Sequence, residues 1–259
     1  MGQKAGGAVV MKNQYFGDQR DFMKYDVLME VVETTPGISR LTNIPMLTPN
    51  DQTGEGNVTA FVEGNRRSDL YHFMRYCLAR GDRNIRNLRT YFANRRFAYY
   101  GYRDDVHYED GTRQEYFDSI PAKVLQDAVV FIDPDTGIET GANTYMRGKG
   151  IDRYLFWNNI VTVFNRMNAN SVLIIYQHLQ RNADLVVQNM RDKSTALAEH
   201  LGRPSVACVD DGDIAFLIAT KSDAAMTHVS GTIPEYAQTH ELRYHLFPEV
   251  VAEAAEAQA

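Results

Sequence analysis

The sequence predicts an α/β protein whose doubly wound, mostly parallel sheet ends in an antiparallel hairpin. Short apolar runs rich in β-branched residues, such as 129–133, are bounded by Pro, Gly and charged residues, which is typical of strands buried on both faces. Patterns with one apolar helical face separate most of these runs, and such alternation favours a parallel sheet. The last two runs are only a few residues apart, too close for a crossover, so they must pair as a hairpin.

Six strands and five helices are predicted from these patterns. The strands are expected at 41–47, 98–103, 129–133, 172–176, 206–210 and 215–220. The helices are expected at 21–33, 68–79, 84–95, 152–167 and 184–201. Segment 68–79 begins with a Ser-Asp cap signal, and segment 184–201 is stopped by Gly202-Arg203-Pro204.

Composition indicates one soluble domain spanning 1–259, with a flexible Ala/Glu-rich tail at 250–259. The chain is 44% hydrophobic and 23% charged, which suffices for one sizeable core. No apolar stretch approaches the roughly 18 residues that span a bilayer, so no membrane association is expected. Cys77 and Cys208 form no paired motif, which favours a reducing cytoplasm over a disulfide framework or a thiol zinc site.

The charge is unevenly distributed along the chain. The formal net charge is −6, yet residues 61–103 hold ten arginines, no lysine and three acids, a local net charge of +7. Tyrosines are interleaved with these arginines, and a basic patch on an acidic protein is typical of nucleic-acid contact. The segment 61–97 is therefore predicted to be a small helical insertion that binds a polyanion through Arg83, Arg86, Arg89, Arg95 and Arg96. Solvated helix faces paired with acids elsewhere are the alternative.

The strand at 129–133 ends in Asp133-Pro134-Asp135, and this junction is the first candidate for an active site. Ligands of open α/β sheets bind just beyond the carboxyl ends of such strands. Two carboxylates at that point contribute little to packing, so replacing Asp133 by Ala is expected to cost little stability and much activity. The alternative is that Asp135 only caps the loop with an Asx-type turn.

The start of the first helix carries an unusual set of polar residues. Asp18 or Asp21 is suited to cap the helix, since acids in the first turn interact favourably with its dipole. Lys24 adjoins the apolar face, so a Lys/Asp pair at the mouth of a pocket is one hypothesis. A minor surface pair of Asp21 and Lys24, worth tenths of a kcal/mol, is the other.

The junction after the strand at 172–176 adds Tyr176, Gln177, His178 and Arg181 to the same predicted crevice. His titrates near neutral pH and serves as a base or a metal ligand. A hydrogen-bonded structural histidine is the alternative. Together with Asp133, Asp135 and Lys24, His178 completes the predicted catalytic set.

Residues 17–28, Gly-Asp-x-x-Asp-Phe-x-Lys-Tyr-x-x-Leu, resemble the Gly-Asn-x-x-Asp-x-x-Lys-His-x-x-Leu opening of the bacterial large-subunit ribosomal RNA adenine methyltransferase family. That family has a Rossmann-like core, a helical insertion after the first strand, and Asp-Pro-Pro-Tyr at the end of a later strand. Asp133-Pro134-Asp135-Thr136 occupies the corresponding place here, with Asp-Thr where the family has Pro-Tyr. The terminal hairpin also agrees with the Rossmann-like methyltransferases.

The resemblance implies a divergent S-adenosylmethionine-dependent methyltransferase acting on nucleic acid or a nucleotide. It implies that Asp133 orients the acceptor and that the cofactor lies against the loop after the first strand. The residues assigned to the cofactor are Asp51, Gly54, Glu55, Gly56 and Tyr25. The glycines of this loop come later than in the family, and Asp51 and Glu55 are added.

Two other functions remain open at this point. The predicted crevice is rich in carboxylates and contains a lysine, which suits Mg²⁺ and phosphoryl chemistry. A Mg²⁺-dependent nuclease or phosphohydrolase would use Asp133, Asp135 and Glu55 as ligands and Lys24 to stabilise charge. A non-catalytic nucleic-acid-binding relic of the methyltransferase fold is the third possibility.

Overall fold

A computed structural model describes residues 12–50, 56, 58–140, 150–179 and 183–247. Its centre is a seven-stranded sheet in the order β2-β1-β3-β6-β8-β7-β9, and β4 and β5 form a separate two-stranded sheet. The strands are β1 (Arg40–Pro45), β2 (Ala98–Gly101), β3 (Ala128–Asp133), β4 (Gly137–Ile138), β5 (Tyr154–Leu155), β6 (Val172–His178), β7 (Val206–Asp210), β8 (Ile214–Thr220) and β9 (Arg243–Phe247).

The sheet is mostly parallel, as the sequence predicts. Strands β2, β1, β3 and β6 run in one direction, β8 is antiparallel to both β6 and β7, and β9 is antiparallel to β7. The predicted hairpin is therefore confirmed as β7–β8, closed by a turn in which Asp210 and Asp211 accept bonds from backbone N–H groups. The edge strand β9 was not predicted, because its sequence, RYHLF, alternates only weakly and is half exposed.

Helices cover both faces of the sheet. They are α1 (Gln19–Thr34), α2 (Ser68–Ala79), α3 (Asn87–Phe92), α4 (Arg113–Asp118), α5 (Trp157–Arg166), α6 (Ala183–Leu201) and α7 (Asp223–Thr239). Alternate residues of β3 enter different cores: Val129 and Phe131 pack with α1, α2, α3 and α7, whereas Val130 and Ile132 pack with α4, α5 and α6. Because β3 is buried on both faces, both its odd and its even positions are apolar.

Two predicted helices are shorter than their sequence patterns suggest. The prediction for 152–167 is wrong at its start, where Tyr154 and Leu155 form β5 and only Trp157–Arg166 is helical. Both residues are buried and pair with β4, so tertiary contacts outweigh the helical periodicity. The helix expected at 84–95 is confined to Asn87–Phe92. Helix α7, with Pro234 inside it, was not among the predicted elements.

The arginine-rich segment lies between β1 and β2 and carries α2 and α3. Both helices share the core of α1, through Leu70, Met74, Leu88 and Phe92. The predicted tail at 250–259 lies outside the described residues. Within the ranges given above, none of the helices has the length and apolar character needed to traverse a membrane.

Candidate active site

A tight turn places the first helix against the carboxyl end of the sheet. Gly17 has a φ of +85°, a conformation that side chains rarely adopt, and a Cβ there would lie 3.1 Å from the side chain of Leu78. The next residue, Asp18, caps α1, since its Oδ1 accepts from the backbone N–H of Asp21 at 2.8 Å. The predicted cap is therefore confirmed. The turn sets the residue at which α1 begins, and so sets which polar side chains lie in its first turns.

Lys24 forms the centre of a buried ionic cluster. Its Nζ donates to Asp21 Oδ1 at 2.8 Å and to Asp133 Oδ2 at 2.9 Å, and none of the three residues is more than 3% exposed. The surface-pair interpretation of Asp21 and Lys24 is therefore wrong. The i, i+3 spacing puts the carboxylate and the ammonium on one face of α1, and the end of β3 supplies the second carboxylate.

Asp133 is the last residue of β3 and lies beside the end of β1. In the register of the sheet it is the partner of Pro45, and its carbonyl accepts from the N–H of Met46 at 3.0 Å. The side chain is 1% exposed. The expectation that Asp133→Ala would cost little packing does not hold, because truncation would leave a cavity beside a buried ammonium.

Asp135 is also buried, but it is held by different partners. Its Oδ2 accepts from Thr48 Oγ1 at 3.1 Å, and Arg153 Nε lies 3.8 Å from the same oxygen. Asp135 thus joins the loop after β1 to the chain before β5. It lines the same cleft as Asp133. The contact with Thr48 is a long-range tie, different from the local Asx-type turn considered above.

The end of β6 contributes Tyr176 and His178, whose side chains lie on the same side of the strand. The Tyr176 hydroxyl is 3.2 Å from His178 Nε2, and Lys24 Nζ lies 4.7 Å from the centroid of the Tyr176 ring. Gln177 points elsewhere, because its Oε1 accepts from Ile138 N at 2.8 Å and so supports β4. Gln177 is therefore not part of the pocket. Arg181 lies outside the described residues.

These side chains surround one narrow cleft at the carboxyl end of β3. Its lining is Tyr15, Asp18, Arg20, Asp21, Lys24, Asp133, Pro134, Asp135, Tyr176 and His178. The cavity is about 20 Å³, the space of a single water molecule. Sequence reasoning missed Tyr15 and Arg20, although both belong to the same polar opening segment. Arg20 donates to Asp213 Oδ2 at 2.7 Å and so ties α1 to the β7–β8 turn.

Burial dominates the electrostatics of the cleft. It raises the pKa of Asp18 to about 7, and the neighbouring Asp21 adds to the shift. Burial raises the pKa of Asp133 to about 6 against the opposing effect of Lys24, and it raises the pKa of Asp135 well above its ordinary value. For Lys24, burial opposes the charged form, but Asp133 and Asp21 outweigh it and raise the pKa. At neutral pH, Asp133 is ionised beside a protonated Lys24.

Four buried polar atoms in this region have no hydrogen-bond partner within the described ranges: Asp21 Oδ2, Asp133 Oδ1, Asp135 Oδ1 and the Tyr25 hydroxyl. Buried acceptors are normally satisfied, so unsatisfied carboxylate oxygens in a cleft indicate a ligand that donates hydrogen bonds. An amino group fits this requirement. Among the described residues, no group of three or more His, Cys, Asp or Glu side chains is arranged to hold a metal ion.

The predicted cofactor loop is described only in part. Asp51, Gly54 and Glu55 lie outside the described residues. Gly56 has a φ of +82°, and a Cβ there would approach the Tyr15 ring to 2.2 Å, so only glycine permits this contact with the wall of the cleft. Tyr25 is completely buried in the core beside Lys24, with its hydroxyl among the unsatisfied atoms.

The arginines expected to bind a polyanion have two different environments. Arg83 donates to the carbonyls of Phe16 and Gly56, at 2.9 and 2.6 Å, and so braces the wall of the cleft. Arg89 forms a two-pronged pair with Asp104, and Arg95 pairs with Asp69. Arg86 and Arg96 are exposed. Three of the five arginines that were predicted to bind a polyanion therefore already have hydrogen-bonding or ionic partners within the chain.

Comparisons with family models, with curated proteins and with solved structures give no match to this chain. The functional conclusion therefore depends on the geometry of the cleft and on the two short motifs that enter it. Both motifs supply residues to one place: the opening segment gives Asp18, Asp21 and Lys24, and the end of β3 gives Asp133.

Proposed function

We propose that this protein is a divergent, Rossmann-like transferase that moves a methyl group from S-adenosylmethionine to nucleic acid or a nucleotide. One observation carries the proposal: Asp133, at the carboxyl end of the interior strand β3, has a buried oxygen, Oδ1, with no donor in the described part of the chain. The helices on both faces of the sheet and the antiparallel hairpin at its end support a doubly wound fold of this class.

Asp133 would position the acceptor. Its Oδ2 is bound by Lys24, which leaves Oδ1 to accept a hydrogen bond from an amino group of the acceptor. Lys24 keeps the carboxylate ionised at neutral pH, against the burial that raises the pKa of Asp133 to about 6. A carboxylate held by a buried ammonium keeps one orientation, and fixed orientation is what an acceptor-positioning group needs.

The residues fit the polar part of the substrates. Oδ2 of Asp21 and Oδ1 of Asp135 belong to residues of the same lining and are also unsatisfied within the described ranges, and the space of about 20 Å³ admits only a group of the size of an amine. When bound, S-adenosylmethionine would supply the methyl group from its sulfonium, and Asp133 Oδ1 would orient the amino group of the acceptor by accepting a hydrogen bond from it.

Phosphoryl chemistry is the second candidate, because four carboxylates line the same cleft: Asp18, Asp21, Asp133 and Asp135. Carboxylate oxygens are the ligands that Mg²⁺ prefers. The structure gives this candidate less support, since Lys24 already forms ion pairs with two of the acids and no three-ligand group occurs in the described ranges. Glu55, the third ligand in that hypothesis, lies outside them.

Titration calorimetry separates the candidates. Wild-type protein in EDTA should bind S-adenosylmethionine, and Asp133→Asn should retain this binding, because Asp133 faces the acceptor. Lys123→Gln is the matched control, since Lys123 is exposed near the opposite, amino-terminal end of β3. Binding of Mg²⁺ or Mn²⁺ that Asp133→Asn abolishes would instead support phosphoryl chemistry. If the wild type binds neither ligand, the proposed transferase is wrong and the relic hypothesis takes its place.

A further inference from the structure

We propose that the exposed face of helix α2 binds single-stranded nucleic acid, with one base stacked on Tyr76. The inference rests on the proposed function for its substrate class and deepens it. Arg83, Arg89 and Arg95 are bound within the chain, so we assign the nucleic-acid contact to other residues. We call this set the α2 stripe; it consists of His72, Arg75, Tyr76 and Arg80.

The α2 stripe follows helical spacing and faces solvent. Helix α2 buries Leu70, Met74 and Cys77 in the core, which turns the opposite side outward. In contrast to these core residues, the four members of the stripe are exposed. Counted from His72, the other three lie three, four and eight positions further along the chain, so all four fall on the broad side opposite Leu70, Met74 and Cys77.

Tyr76 is the most informative member of the stripe. The residue is 61% exposed, so its ring is accessible on the solvent side of the helix. The Arg80 guanidinium carbon lies 5.5 Å from the ring centroid, so a planar cation adjoins the ring. Aromatic rings beside arginines form the stacking platforms on which unpaired bases bind.

The charge of the stripe is positive and uncompensated by its own helix. Arg75 donates to the carbonyl of Thr59 at 2.6 Å, a neutral partner that leaves its charge available to a phosphate. The one acid of α2, Asp69, is bound by Arg95 and by Tyr91. This complementarity to a phosphate backbone selects nucleic acid over an apolar partner.

The stripe also lies next to the candidate active site. Leu78, on the same helix, faces Gly17, the residue before the Asp18 cap. Beyond the helix, Arg83 binds Phe16 and Gly56, which adjoin Tyr15 in the wall of the cleft. A strand bound along the carboxyl half of α2 would therefore be led to the cleft that contains Asp133.

An unpaired strand fits this surface better than a duplex does. Base faces in a duplex are covered by their neighbours, so stacking on Tyr76 requires a base that is free on one side. Arg75 and Arg80 stand at i−1 and i+4 relative to Tyr76, and Arg80 adjoins the ring, so we assign the phosphates next to the stacked base to these two arginines. Duplex nucleic acid would meet the arginines but not the ring.

Fluorescence anisotropy with labelled oligonucleotides tests the inference. The probes are single-stranded RNA and DNA of about 12 nucleotides, within the range of known single-strand sites, and a duplex of the same length. Tyr76→Ala should weaken binding of the single strand by roughly 5- to 150-fold, as expected for loss of one stacked base. Tyr76→Phe should bind like wild type. Arg80→Gln should lower the slope of log affinity against log salt by about 0.7.

The control variant is Lys123→Gln, which removes an exposed cation at the other end of the sheet and should leave binding unchanged. Equal binding by Tyr76→Ala and wild type, or a preference for the duplex, would overturn the inference. The two proposals fail separately: Tyr76-dependent binding without any affinity for S-adenosylmethionine would refute the transferase alone. Binding of S-adenosylmethionine without affinity for single strands would refute the α2 stripe alone.

Discussion

Removing the ammonium of Lys24 is the perturbation with the largest expected effect on the fold. Lys24→Met keeps the aliphatic stem but leaves Asp21 and Asp133 buried and unpaired, each 1% exposed. Breaking a buried ion pair from one side costs about 3 to 5 kcal/mol, because the remaining charge stays in a low-dielectric surrounding. We expect a loss of this size in the free energy of unfolding at about pH 8.

The pH dependence gives this prediction its sign. Burial raises the pKa of Asp133 to about 6 in the fold, above the value of about 3.9 for an aspartate in an unfolded chain. The folded state therefore holds more protons between these values, and stability falls as the pH rises through this window. Without Lys24, ionisation of Asp133 in the fold becomes still less favourable, so the loss of stability continues to a higher pH. The deficit of Lys24→Met should be larger at about pH 8 than at about pH 5.

Urea unfolding followed by circular dichroism at both pH values measures this deficit. The double variant Lys24→Met with Asp133→Asn should be more stable at about pH 8 than Lys24→Met, since one of the orphaned charges is gone. Lys123→Met, at an exposed position, should lie within about 0.5 kcal/mol of wild type. A deficit below about 1 kcal/mol, or one independent of pH, would refute the buried ionic cluster.

Two further perturbations follow from the same region. Asp18→Asn keeps a good helix cap but removes a carboxylate whose pKa is raised to about 7 by burial, so it should become more stable relative to wild type as the pH rises from about 5 to about 8. Thermal melts at the two pH values check this, and a parallel dependence in both proteins would contradict it. Arg83→Gln should cost about 1 to 3 kcal/mol in urea unfolding through its two lost carbonyl bonds, whereas exposed Arg86→Gln should cost less than about 0.5. Equal costs would show that Arg83 does not brace the cleft.

Most of the sheet was predictable because its strands are buried on both faces and carry a strong local signal. Strand β3 is entirely buried, and its apolar run is visible in the sequence. Strands β4 and β5 escaped prediction because each is only two residues long and gains its partner from another part of the chain. Strand β9 is half exposed at the edge, so its pattern resembles that of a loop.

The candidate site was predictable where a residue followed directly from its place on an element. Asp133 and His178 lie at strand ends, and the carboxyl ends of parallel strands share one edge. The pairing of Lys24 with Asp133 was not predictable, since it joins residues 109 positions apart. The structural role of Arg83 was likewise hidden, because its partners are backbone carbonyls, which leave no trace in the sequence.

Methyl transfer itself tests the central claim most directly. Wild-type protein would be incubated with S-adenosylmethionine and a single-stranded oligonucleotide pool in EDTA, and the products would be analysed by mass spectrometry of the nucleosides. We predict a methylated nucleoside that Asp133→Asn fails to form, by a factor of at least about 100, while that variant still binds S-adenosylmethionine. Equal product from Asp133→Asn and wild type, or no methylated product from a wild type that binds both ligands, would contradict the role given to Asp133.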